Sequence, residues 1–152
     1  MDNETLLRTL QEAMRKLAES GSACATSITQ LRERAEQARL AMDSVAEQEL
    51  SAVQEHERIV RETKALRGHI SDLVRSRADF TLIATLEDEL KDLDNTGRQA
   101  DQRVEALRAR ARALGEPLKA IKSELEASEE SHRRLSDRTM KLREHIEKVA
   151  HV

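Results

Sequence analysis

From Leu7 to Phe80 the chain holds one seven-residue register without interruption. Its a positions run Leu7, Met14, Gly21, Ile28 and onward to Ile70 and Arg77. Its d positions run Leu10, Leu17, Cys24, Leu31 and onward to Leu73 and Phe80. A repeat of this length puts apolar side chains along one edge of a helix and predicts a left-handed supercoil. Near Phe80 the register slips by one residue. It resumes at Ile83, Leu86, Leu90 and Leu93, then continues through Val104, Leu107, Leu114, Ile121 and Leu125 to Val149.

Composition closes off the alternative of a globular core. Phe80 is the sole aromatic among 152 residues, and charged residues make up 36%. Aromatics normally carry much of a compact core's buried area, so this chain must bury its apolar surface along a seam. Net charge is only −3 and the apolar residues are regularly spaced, which argues against disorder. The expected fold class is all-α: an elongated coiled coil.

Asp94-Asn95-Thr96-Gly97 is the strongest turn signal between the two arrays. Asn and Asp bond their own backbone, and Gly accepts a positive φ without penalty. The expectation is an antiparallel helical hairpin, with residues 41–94 as first arm, 95–97 as turn and 98–150 as second arm. Folding about Asn95 sets Leu90 against Ala100, Leu86 against Val104 and Leu66 against Leu125. The rival is one unbroken helix paired in parallel. There the facing g and e residues of the second arm are Glu89/Asp94, Arg103/Arg108, Glu124/Glu129 and Arg138/Arg143. All four pairs are like-charged and oppose that arrangement. Gly115-Glu116-Pro117 predicts a kink or short break, since Pro removes a donor and clashes with the preceding turn. Gly21, flanked by Ser20 and Ser22, marks a bend or fraying point in the first arm.

Such a hairpin leaves residues 1–40 as a helical overhang that oligomerises. Leu7, Leu10, Met14, Leu17, Ile28 and Leu31 are its expected partner-binding stripe, with Phe80 as a further partner-facing candidate near the slip. Small or apolar e positions (Ala18, Ala25, Ala46, Val53, Val60, Val74) widen the seam toward a bundle of three or four helices.

No residue pattern points to catalysis. Cys24 sits at a d position, where a small buried hydrophobe is the default role, and one cysteine forms no internal disulfide and favours a reducing compartment. No Gly-rich phosphate loop is present. His56 and His132 fall at seam positions, where a polar residue commonly sets register; a metal role for them is the less favoured reading. Arg103, Arg108, Arg110 and Arg112 form the densest basic cluster, but the chain is slightly acidic and lacks stacking aromatics, so nucleic acid is an unlikely partner. Carboxylate groups such as Glu87-Asp88-Glu89 and Glu129-Glu130 are helix-surface charge. No apolar run reaches membrane-span length, and the N-terminus lacks a signal-peptide pattern. The expectation is a soluble intracellular protein (cytoplasmic, cytoskeletal or nuclear) with no cofactor, metal or small-molecule substrate. Its expected role is a non-enzymatic scaffold subunit that associates with itself or with other coiled-coil chains. A stalk or adaptor regulating an ATPase or secretion machine is the alternative, and a nucleic-acid binder using Arg103–Arg112 is the third.

Overall fold

The computed structural model describes residues 2–151; Met1 and Val152 lie outside the described residues. Two helices account for nearly all of them: α1, Asn3–Arg75, and α2, Phe80–Ala150. Asp2 caps α1. Its Oδ1 accepts from the Thr5 N–H at 2.7 Å, which satisfies one of the four donors orphaned at a helix start, and its carbonyl accepts the first intrahelical bond, from the Leu6 N–H at 3.0 Å.

Residues 76–79 reverse the chain. The Arg77 N–H bonds the Val74 carbonyl at 3.2 Å, and the Ala78 N–H reaches back to the Leu73 carbonyl at 3.0 Å. This bond pair closes a Schellman motif, which calls for a left-handed residue just past the helix. Arg77 takes that place with φ of 54°. Asp79 then caps α2, its Oδ1 accepting from the Thr81 N–H at 3.2 Å and its carbonyl from the Ile83 N–H at 3.2 Å.

The reversal expected at 95–97 is therefore corrected. Asp94, Asn95, Thr96 and Gly97 lie inside α2, and Thr96 Oγ1 bonds the Asp92 carbonyl one helical turn back, at 2.9 Å. Pro117 does not break the helix either, since α2 runs through it. Gly21 is likewise helical.

The chain divides into two compact units. One is Leu40–Gly115 and contains the turn; the other comprises the described parts of Met1–Arg39 and Glu116–Val152. In the turn unit, α1 and α2 run antiparallel about a core of Val45, Ala52, Val104 and Leu107, with Val53, Ala111 and Leu114 packed against it. Val45 and Ile59 are its most completely buried side chains. Full burial of such a residue contributes about 1.5–3 kcal/mol.

In the terminal unit, Cys24 Sγ lies 3.3 Å from the Ser128 carbonyl and Arg32 pairs with Glu129 at 3.2 Å. Ile28, Leu31 and Ile121 are buried there. The overhang expected for residues 1–40 is thus corrected. Because the chain turns at 76–79, α2 is nearly as long as α1 (71 residues against 73) and supplies the N-terminal stripe with an internal partner.

The register itself is the part that tracks burial. Every a and d residue from Leu7 to Leu73, and every seam residue from Ile83 to Val149, is buried or half-buried. Polar seam residues are accommodated locally. Thr63 is buried with its hydroxyl bonded to the Ile59 carbonyl at 2.8 Å, and Glu49 accepts from Arg108 at 3.1 Å.

Candidate association surface at the helical turn

The turn concentrates exposed apolar surface. Phe80 is 81% exposed, Val74 55% and Leu82 46%. The cause is local. In the register of α1, Phe80 would be the next d residue, but α1 ends at Arg75 and the chain swings away. Phe80 becomes the first residue of α2, directly after the Asp79 cap, with no earlier turn of helix to lean on. Arg75 and Arg77, also exposed, precede it in the chain. An exposed aromatic in a segment that also carries arginine matches the residue types enriched at protein contact hot spots.

A shallow groove runs between the helices of the turn unit, lined by His56, Ile59, Val60, Thr63, Leu93 and Gly97. Arg67 closes one side of it through an ion pair with Asp94 at 3.0 Å. The Thr63 hydroxyl, already bonded to the Ile59 carbonyl, offers little for orienting a ligand.

The other sequence-derived candidates separate. Leu7, Leu10, Met14 and Leu17 are half-buried, and Ile28 and Leu31 are buried, within the terminal unit. Of that set Phe80 alone stands in the open. Cys24 is half-buried. His56 belongs to the turn unit and His132 to the terminal unit. Among the described residues no group of three or more His, Cys, Asp or Glu could hold a metal ion. Arg108 of the basic cluster pairs with Glu49 and with Glu105, the hydrogen bond to Glu49 doing most to raise its pKa. Glu130 pairs with Arg133 and Arg134.

Three residues that would meet like charges in a parallel pair of second arms find opposite charges on α1 instead. Asp94 meets Arg67, Arg108 meets Glu49 and Glu129 meets Arg32. Each is an exposed pair worth tenths of a kcal/mol, but together they select the antiparallel partner. Sequence reasoning missed Leu82 and Leu50 as exposed apolar positions, and Val74 was visible only as an e position widening the seam.

Among the described residues no helix is long and apolar enough to cross a membrane. No protein-family model, curated protein or solved structure matches the chain. What the geometry defines is a class: an all-helical protein of two long helices packed together.

Proposed function

We propose that this chain is a non-enzymatic coiled-coil scaffold or linker subunit of an intracellular assembly, and that it docks another protein through the end of its helical hairpin. The observation that carries this reading is Phe80, the sole aromatic, left open with Val74 and Leu82 at the turn. Nothing inside the fold requires an aromatic there, and exposed apolar surface of this kind is the usual mark of a contact site. The seam supports the coiled-coil reading, because its heptad positions are the shielded ones.

The same tip serves a second reading, a stalk or adaptor that regulates an ATPase or secretion machine. The cross-helix ion pairs within one chain favour it, since they suit a hairpin that works as a monomer. Affinity capture with the native chain, Phe80→Ser and Met140→Ser tests both. Met140 is exposed but lies in the terminal unit. A protein retained by native and Met140→Ser baits and lost with Phe80→Ser supports tip docking. A retained ATPase whose turnover the native chain stimulates selects the stalk. Identical retained sets for all three baits would reject both.

A further inference from the structure

α1 carries a second heptad stripe, distinct from its seam. Ala46, Leu50, Val53, Glu57, Val60 and Lys64 recur at alternating intervals of four and three, so they share one face of the helix. Leu50 is 61% exposed and Val60 50%, while Val53 is half-buried against the core of the turn unit. Asp43 and Arg67 continue the stripe at its two ends. The face thus carries Asp43 at one end, Leu50, Val53 and Val60 with Glu57 among them in the middle, and Lys64 and Arg67 at the other end.

That order is self-complementary. Run antiparallel to a second copy of itself about a two-fold axis at position 55, the stripe maps onto itself. Leu50 meets the other copy's Val60, and Val60 meets its Leu50. Asp43 falls opposite Arg67, Ala46 opposite Lys64 and Val53 opposite Glu57. A two-fold contact needs this property, one patch that is its own complement. Parallel alignment would instead stack like charge on like charge at both ends. Arg67 already holds Asp94 at 3.0 Å, but a guanidinium carries five N–H donors and can take a second carboxylate.

We propose that two copies of this chain associate through this flank of α1, antiparallel about residue 55, in a contact between the two α1 helices in which Leu50 and Val60 are mutually buried. Glu57 is the discordant residue. It lies near its own symmetry mate, and two carboxylates there oppose association. The surface is separate from the Phe80 tip, so it stands or falls independently of tip docking.

Sedimentation equilibrium of the native chain should give twice the 17.2 kDa chain mass. Leu50→Glu should weaken the dimer at least tenfold with helicity by circular dichroism unchanged, and Glu57→Leu should tighten it by a similar factor. Phe80→Ser should leave it alone. In a Cys24→Ser background, chains carrying Leu50→Cys and chains carrying Val60→Cys should form a disulfide on mixing faster than either forms one alone. A monomeric native chain, a dimer indifferent to Leu50→Glu and Glu57→Leu, or a dimer dissolved by Phe80→Ser would each overturn the proposal.

Discussion

A Cβ built on Gly97 would stand 3.4 Å from Ile59 Cγ2, at ordinary van der Waals distance. Gly97 is helical, half-buried and faces one of the most completely buried side chains of the protein. Its backbone has no need of the conformations reserved for glycine, since no glycine here has positive φ. Gly97→Ala should therefore stabilise the protein by about 0.5–1 kcal/mol through helix propensity. Thermal unfolding followed by circular dichroism checks the sign. A turn at this position would give a loss instead.

Arg77 occupies the left-handed position of the turn, with φ of 54°. That conformation costs an L-residue about 1–2 kcal/mol, against about 0.5–1 kcal/mol of extra unfolded-state freedom for glycine. Arg77→Gly should raise stability by up to about 1 kcal/mol, a shift of about 2–4 °C for a chain of this size. Arg77→Val should lower it, because a β-branched residue tolerates positive φ least.

Ile59 and Phe80 should respond in opposite ways. Ile59 is 2% exposed, and Ile59→Ala should cost about 2–5 kcal/mol in urea unfolding. Phe80→Ser should stay within about 0.5 kcal/mol of the parent, as exposed substitutions do.

Pro117 sits in the interior of α2 with its side chain exposed. It supplies no N–H and crowds the preceding turn, at about 3 kcal/mol relative to alanine in a helix. Pro117→Ala should raise the unfolding midpoint, with the native helical signal unchanged or slightly increased.

Acid should weaken the fold. Hydrogen bonds from Thr5 hold the Asp2 carboxyl below its ordinary value, and bonds from Arg15, Arg39 and Arg58 do the same for Glu12, Glu36 and Glu55. A carboxyl whose folded pKa is depressed adds stability above its unfolded pKa, near 4, and loses it as pH falls through the folded value. The melting temperature should be level from pH 6 to 8 and fall below about pH 4. These groups are exposed, so 1 M salt should shrink that step.

How far the fold was legible follows from particular residues. The heptad positions picked out the shielded residues of both helices, because a period near 3.5 assigns each side chain to a face before any partner is chosen. The one-residue slip near Phe80 was the trace of the true reversal. It was outweighed by Asp-Asn-Thr-Gly, whose residues favour turns locally but are held in the helix here: Asp94 pairs with Arg67, and Thr96 Oγ1 bonds the Asp92 carbonyl. The real turn, Ser76-Arg77-Ala78-Asp79, holds no glycine or proline. Of its parts only the Asp79 cap has a side-chain signature, and an arginine at positive φ has none. Phe80 was legible as unusual and as a partner-facing candidate, and the early end of α1 is what leaves it open.

The residue pattern alone determined that the chain is helical nearly throughout, which edge of each helix is hidden, and that two second arms would repel in parallel. Where the chain doubles back, and so which residues of α1 and α2 meet, was decided only in three dimensions. Periodicity fixes direction around a helix axis and is indifferent to sliding along it. The sliding is set by the sum of many side-chain contacts, which outweighs the preference of any four residues for a bend.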